Sequence, residues 1–554
     1  MVICGIKLTH DGSIALIDGN KLVLSYEIEK LNNNERYSAF TLGLNEIYAL
    51  LGSYANKIDM IVFDGWTPDQ VVTIRLGDKD VPVKLAGYGS FAPRQNIMER
   101  KFFSLEGPMK LEYASYQHVA GHISSAYCSS PFAAKGEDAY VLVWDGGMFP
   151  QLFYYNNKTN VVDSIGILFF IVGNIYGIFS QHFPPFDKTA KDLNSELSVP
   201  GKVMAYIAFG TLQEELLPVF EAAYNNIDKK DMNFAFLFSK EVKEQAKKYN
   251  FSDQDILHTF HVFIENLLVE KLAELVKENG VRSPNICLAG GCALNIKWNS
   301  AVRDIALFEE VWVPPFPNDS GSALGAACCE MIHATGNNFL DWNVYAGPAV
   351  IDDFAHEGWR KSEASIEDLA RLLYEEHEPV VFINDRAEMG PRALGNRSIL
   401  APANDPGMKQ VLNKIKGRED YRPVAPICLE EDAPEIFEPG IRDPYMLFDH
   451  LVKESWLDLV PAICHLDKTA RLQTVGPNDN PTIYALLTAY KQLSGLPLLC
   501  NTSANHKGRG FFPNISSVIE WGEVNYIWSE GYLYEKIEKI EFKELLSRRR
   551  QPSV

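Results

Sequence analysis

The chain has 554 residues, 46% of them hydrophobic and 22% charged, and a formal net charge of −20. That length exceeds what one core organises, so roughly two to four domains are expected, and so ordinary a composition excludes long disorder. An acidic balance excludes general nucleic-acid binding, because phosphate backbones demand a basic surface, and any anion site must be a local island of positive charge.

Met1 runs directly into VICGI, without the charged start and long apolar stretch of a signal peptide. VICGIKL then reads as a buried strand, THDG as a turn, SIALI as an alternating strand, DGN as a hairpin turn and KLVLSYE as a third strand. His10, beside the Asp11-Gly12 turn, is not required by turn chemistry. With a pKa near working pH it is a candidate general base for a hydroxyl acceptor. TLGLNEIYALLGSYA (41–55) has helical spacing. In SYQHVAGHISSAY the spacing of four places His118 and His122 on one helical face, about 6 Å apart at Cβ. A bare HxxxH more often marks core histidines. A third ligand changes that balance, and Asp319 in PFPNDSGS is the candidate, its ordinary reading being a helix cap. Two histidines and a carboxylate leave open positions suited to a catalytic divalent ion such as Fe or Zn.

The three-strand pattern recurs at AYVLVW, DGG, QLFYY, NNK and TNVVDSI (139–165). A duplicated unit of this kind followed by helices points to an actin-like nucleotide-binding fold, in which the first turn of each copy faces the phosphates. SIGILFFIVGNIYGIF (164–179) is too short to span a bilayer and reads as sheet followed by turn. In SVPGKVMAYIAFG (198–210) Lys202 follows a Pro-Gly turn and is a phosphate candidate, although lone lysines are mostly solvated. A long helix over 256–280 ends at Gly280. PNICLAGG is a strand ending in Gly290 and Gly291, a junction that lets backbone approach a ligand. VWVPPFPNDSGSALGAACCEM gives a strand, a proline-fixed loop and a small-residue helix from near Ser320. Nine cysteines without a CxxC pair fit buried thiols in a reducing cytoplasm.

Periodicity lapses at 345–362, the expected boundary, and a second α/β unit runs to about residue 540. Its loops gather basic groups: Arg392 and Arg397 in EMGPRALGNRSIL, Lys416, Arg418 and Arg422 in KIKGREDYRPVAP, and Arg471 in ARLQTV. Asn501, Ser503 and Asn505 follow the strand LPLLC, and ligands of α/β sheets sit beyond such strand ends. Any one arginine is more often a surface ion pair. Together they form a polyanion cradle for a triphosphate or an acyl phosphate, of a type other than the P-loop, whose GxxxxGK[ST] is missing. The closing SRRRQP reads as a solvated tail.

GPRALGNRSILA, KGREDYRPVAP, RLQTV and PLLCNTSAN, in that order, resemble the O-carbamoyltransferases of antibiotic biosynthesis and the related nodulation proteins. LTHDGSIAL, QHVAGHISSAY, PGKVMAYIAFG, LAGGCALN and VPPFPNDSGSALGAA agree, so the resemblance covers about residues 5 to 510. It implies a duplicated actin-like domain over 1–355 that transfers a carbamoyl group to a hydroxyl, and a YrdC-like α/β domain over 360–545 that forms carbamoyl adenylate from carbamoyl phosphate and ATP. It further implies that His118, His122 and Asp319 hold an iron-type metal (Fe²⁺ or another divalent ion) and that His10 is the base. Gly290, Gly291 and Asn295 would lie at the adenosine side and Lys202 near phosphate. Arg392, Lys416, Arg418, Arg471, Asn501 and Ser503 would bind acyl phosphate and ATP, with Mg²⁺. The partners implied are carbamoyl phosphate, ATP and a small-molecule alcohol in the cytoplasm, with no nucleic acid and no membrane, and a homodimer is compatible with this.

The chain departs from the family pattern in three places. After the third strand it has SYEIEKLNNNERYS instead of an SxEEERxxRxKH-like run, and the resemblance puts this edge beside the acceptor pocket. The second turn reads DGGMFPQLF without the usual Glu, and Ala504 replaces Phe in NTSFN. Two other function classes fit parts of the chain: an actin-like small-molecule kinase, for which the second basic cluster is unnecessary, and a non-catalytic nucleotide-binding sensor.

Overall fold

The computed structural model describes residues 1–542 apart from 68–69, 77, 90–95, 106–110, 230, 232 and 355–356, so the basic tail at 547–552 lies outside the described residues. The chain divides into two compact units. The first comprises Met1–Ile28 and Tyr37–Ala346; the second comprises Glu29–Arg36 and the chain from Gly347 onward.

In the first unit, β1 (Val2–Lys7), β2 (Ser13–Asp18) and β3 (Lys21–Glu27) form an antiparallel meander, and β1 continues parallel to β4 (Met60–Asp64). Every residue of β1 is buried, as expected of a strand covered on both faces. β5 (Lys101–Leu105) and β6 (Leu111–Tyr116) complete the order β3-β2-β1-β4-β6-β5. The second sheet repeats the plan. β7 (Ala139–Val143), β8 (Gln151–Asn156) and β9 (Val161–Ile167) form the meander, and β7 runs parallel to β10 (Asn285–Ala289), which runs parallel to β11 (Glu310–Trp312). Its order is β9-β8-β7-β10-β11. The shared meander-then-parallel order makes this unit a duplicated, actin-like fold.

Two helices rich in small residues pack between these strands, His118–Cys128 and Ser322–Thr335. All residues of the first are buried. They approach so closely that a Cβ added at Gly325 would stand 2.1 Å from the Gly121 carbonyl oxygen. Two expectations are corrected here. The Pro-Gly turn at 200–201 lies inside the helix Leu193–Tyr206, because the Asp192 side chain caps that helix two turns upstream by accepting from the Ser195 N–H. The stretch after β9 forms a short helix, Ile175–Ser180, where a turn was expected. Among the described residues no helix is long and apolar enough to cross a membrane.

The second unit is built on an eight-stranded mixed sheet. Its strands are β12 (Trp359–Glu363), β13 (Val380–Ile383), β14 (Arg397–Ala401), β15 (Ala425–Leu429), β16 (Gln473–Val475), β17 (Leu498–Ser503), β18 (Tyr526–Ser529) and β19 (Tyr532–Lys536). The order is β12-β19-β18-β13-β14-β17-β15-β16. Val380–Ile383 and Ala425–Leu429 are buried throughout, and with Leu412, Leu486, Leu487 and Leu499 they form an α/β core. The Arg392 loop joins β13 to β14, the loop of Lys416, Arg418 and Arg422 joins the helix Met408–Ile415 to β15, Arg471 stands just before β16, and a further basic loop follows β17.

Candidate functional site

The first site grows from the ends of β1, β4 and β7 and the start of the helix His118–Cys128. His118 and His122 are buried, and their Nε2 atoms face each other at 3.1 Å. Asp319 Oδ1 lies 3.3 Å from His118 Nε2 and 3.4 Å from His122 Nε2. Asp145, in the turn after β7, brings Oδ2 to 3.9 Å from His118 Nε2. One donor atom from each of these four residues lies within 4.8 Å of the others.

The set suits a transition-metal ion. Two donors each about 2.1 Å from one ion, at right to tetrahedral angles, stand about 3.0–3.4 Å apart, the spacing of the closest donors here. Two imidazole nitrogens face to face also need a proton or an ion between them. The outer contacts orient the ligands. His118 Nδ1 lies 2.7 Å from Asp64 Oδ2 at the end of β4, so the ring donates there and presents Nε2 inward. The Asp145 carboxylate accepts from Tyr88 Oη at 2.7 Å and from the Gly291 N–H at 2.8 Å.

Lys7, buried at the end of β1, bridges Asp64 Oδ2 at 3.0 Å and Asp319 Oδ2 at 2.9 Å. Burial opposes its charge, but the two carboxylates hold its pKa above the usual value. Burial likewise opposes a proton on His118, and Asp64 and Asp319 nevertheless lift it well above 6.5. Against burial, His118 and Lys7 hold Asp64 below the usual carboxylate range. His10 stands at the open side, 24% exposed, with Nδ1 3.0 Å from Asp11 Oδ2 and Nε2 3.5 Å from Asp319 Oδ2.

His10, His118, His122 and Asp319 thus come together. Gly290 and Gly291 meet the site from behind: Gly290 adopts φ 87°, a Cβ there would stand 2.4 Å from the Trp144 carbonyl oxygen, and Gly291 steadies Asp145. Asn295 caps the helix Ile296–Arg303, its side chain accepting from Lys297 and Trp298 N–H groups. Lys202 is half-buried on its helix. Sequence reasoning missed Lys7, Asp64, Tyr88 and Asp145 as site residues. Asp145 had a usable signal, since it occupies in the second hairpin copy the turn position that Asp11 holds in the first.

The second site collects cations. Lys416 is buried, and its ammonium donates to the Ser503 carbonyl at 2.7 Å, the Asn505 carbonyl at 2.6 Å and Asn505 Oδ1 at 2.5 Å. Ser503 Oγ donates to the same Asn505 Oδ1 at 2.6 Å. The Arg418 guanidinium donates to Thr502 Oγ1. Burial, Arg418 and Arg36 hold Lys416 well below the usual lysine value. Burial, Arg422 and Arg36 push Arg418 down to about 9, and burial, Arg422 and Arg418 push Arg471 down to about 10. Arginine stays charged near neutrality, so like charges crowd here, and an anion would relieve that crowding. Arg471 Nε and Asn501 Oδ1 are buried without a hydrogen-bond partner. An open cavity of about 530 Å³ beside Lys416 is lined mainly by Lys414, His506, Lys507, Arg509 and Trp521.

The loop carrying Arg392 is wound around Glu388, whose Oε1 accepts from the N–H groups of Leu394, Asn396 and Arg397 at 2.7, 2.7 and 3.1 Å. Asn501 Nδ2 and Gln473 Nε2 hold the carbonyls of Ala393 at 3.1 Å and Leu394 at 2.8 Å. Arg397 does not join the cradle. It is 1% exposed, and its guanidinium is spent on the carbonyls of Asn384, Asn396, Pro348 and Asp385. The paired arginines of that motif therefore divide: Arg397 fastens the loop and Arg392 is left half-buried on it.

Comparison with known proteins matches both regions of the chain. The family description "Carbamoyltransferase N-terminus" matches residues 2–328, and "Carbamoyltransferase C-terminus" matches residues 370–536. Nodulation protein U of Sinorhizobium fredii is 44% identical over 567 residues, covering 97% of this chain and 99% of that protein. A 3'-hydroxymethylcephem-O-carbamoyltransferase of Streptomyces clavuligerus is 31% identical over 540 residues, covering 95% of this chain and 97% of that protein. With both regions matched and likeness along nearly the whole length, this chain belongs to the carbamoyltransferase family.

Proposed function

We propose that the protein is an ATP-dependent O-carbamoyltransferase. Its YrdC-like second unit forms carbamoyl adenylate from carbamoyl phosphate and ATP, and its first unit passes the carbamoyl group to a hydroxyl of a small molecule, a natural product or a sugar. The observation that carries this reading is the cradle of Lys416, Arg418 and Arg471 in a chain of net charge −20, where buried cations depress one another. Such a cluster favours a ligand of several negative charges, as a triphosphate and an acyl phosphate are. The relative named for O-carbamoylation of a hydroxymethylcephem supports an alcohol as acceptor.

Forming carbamoyl adenylate releases inorganic phosphate from carbamoyl phosphate, with water as its acceptor, and pyrophosphate from ATP as the carbamate oxygen attacks the α-phosphorus. The carbamoyl group then carries AMP, a less highly charged leaving group than phosphate. In the cradle, Arg392, Arg418 and Arg471 neutralise phosphate oxygens as charge separates, together with Mg²⁺ on the triphosphate. Lys416, fixed by three acceptors, holds its charge in one place rather than sweeping a volume. In the first unit, His118, His122, Asp145 and Asp319 would hold a divalent transition ion, Fe²⁺ or a similar one, whose chemistry there is Lewis-acid polarisation of a carbonyl. His10, oriented by Asp11 and partly exposed, takes the proton of the acceptor hydroxyl. The Asp64–Lys7–Asp319 chain keeps the first-unit carboxylates ionised and in place.

Incubation with ATP tests this directly. Pyrophosphate and AMP are expected only when carbamoyl phosphate is present, and formation of ADP with a phosphorylated product would replace this reading with a kinase. Radiolabelled carbamoyl phosphate offered with a panel of alcohols then identifies the acceptor.

A further inference from the structure

Of the run that departs from the family pattern, the middle part, Glu29–Arg36, belongs to the second unit. Lys30 is 2% exposed there, and its ammonium donates to the carbonyls of Glu388 at 2.8 Å and Gly390 at 2.6 Å, 4.6 Å above the Phe511 ring. Those carbonyls begin the loop that carries Arg392 and is wound around Glu388. Further along the same segment, the Gly510 N–H donates to the Asn34 carbonyl at 3.0 Å, Glu35 bridges Arg509, and the Arg36 N–H donates to the Gly508 carbonyl at 2.9 Å. The loop thus engaged follows Asn505, which carries the Lys416 ammonium, and its His506, Lys507 and Arg509 line the basic cavity. One eight-residue segment, Glu29–Arg36, therefore fastens both loops that border the cradle.

We propose that Glu29–Arg36 is a working part of the phosphate-binding site: Lys30 is a positioning residue for the loop that presents Arg392, and Arg36 adds a guanidinium beside Lys416 and Arg418. The identity of the anion rests on the adenylation reading; the binding of a phosphoanion does not. Arg36 is seated by its N–H on the Gly508 carbonyl, next to Arg509 of the cavity wall, and its charge is also among those that depress Lys416 and Arg418. An ammonium on the carbonyls of Glu388 and Gly390 fixes backbone, not ligand, and removing it takes that donor from both. The consequence for the site is that Arg392 loses its fixed starting point.

The test is calorimetric titration of the full-length chain with inorganic pyrophosphate, with thermal unfolding recorded alongside. Lys30→Met is expected to weaken binding about tenfold, as is Arg392→Ala, while the double variant is no weaker than about twofold beyond the worse single. Multiplying losses, or unchanged affinity in Lys30→Met, would overturn the positioning role. Arg36→Gln, at a residue a third exposed, guards against a folding failure of Lys30→Met. It should weaken binding about threefold to tenfold and flatten the dependence of affinity on salt. An unchanged affinity and salt slope would remove Arg36 from the site, and a wild-type chain that does not bind pyrophosphate would end the inference. Should the coupling appear as expected while ATP yields no carbamoyl phosphate-dependent pyrophosphate, the inference stands and the adenylation reading fails.

Discussion

The two sites handle buried charge in opposite ways. In the first unit, cations and anions interleave: Lys7 lies between Asp64 and Asp319, and His118 between Asp64 and the inner carboxylates. Each group is driven toward its charged form, Lys7 and His118 upward and Asp64 and Asp319 downward. In the second unit, charges of one sign converge, and Lys416, Arg418 and Arg471 are all driven away from theirs. The first arrangement balances its own charges, as the proposed resident ion would require; the second gathers like charges that an anion would neutralise, as the proposed exchange of substrate would require.

The sharpest way to break this contrast is to remove one cradle cation. Arg471→Ala should lower carbamoyl phosphate-dependent pyrophosphate release by about 10²–10³-fold without changing bound metal, as measured by a pyrophosphate-coupled assay and metal analysis. Next, His118→Ala or His122→Ala should lower carbamoyl transfer about a hundredfold while sparing pyrophosphate release. Equal loss of both half-reactions would mean that the sites do not divide the chemistry. Smaller is the effect of Asp64→Asn, which keeps all four donors but loosens His118, and should weaken metal affinity about ten- to a hundredfold by chelator competition. The mildest test is pH. Because His118 is raised above 6.5 in the folded, metal-free protein, its stabilising contribution is complete below pH 6.5 and is lost as pH rises through the folded value. Unfolding midpoints of chelator-treated protein should therefore fall above pH 6.5, and added divalent ion should abolish that fall, since coordination requires an unprotonated Nε2.

Local patterns carried the sequence reading and long-range pairings limited it. Apolar runs broken by Asp-Gly made both hairpin meanders legible, and spacing alone brought His118 and His122 to one face. Asp145 was hidden because an Asp-Gly turn explains itself. Lys7 looked like an incidental polar residue in an apolar strand, and its partner Asp64 lies 57 positions away. Arg397 carried the same motif signal as Arg392, and only the four carbonyls around it show that it fastens the loop. The segment Glu29–Arg36 continues a first-unit strand in sequence, and its partners lie more than 350 residues on. No periodicity encodes such a partnership.

The close crossing of the helices His118–Cys128 and Ser322–Thr335 has a bearing on the spacing of the clustered side chains in the first unit. Gly121 and Gly325 bring the backbones together with no side chain between them, so the helix bearing both imidazoles and the one that follows Asp319 have no room to draw nearer. A methyl group at 325 would act as a spacer, pushing the two helices and their side chains apart. The glycine contact thus works as a gauge block, setting from behind how far apart these side chains stand.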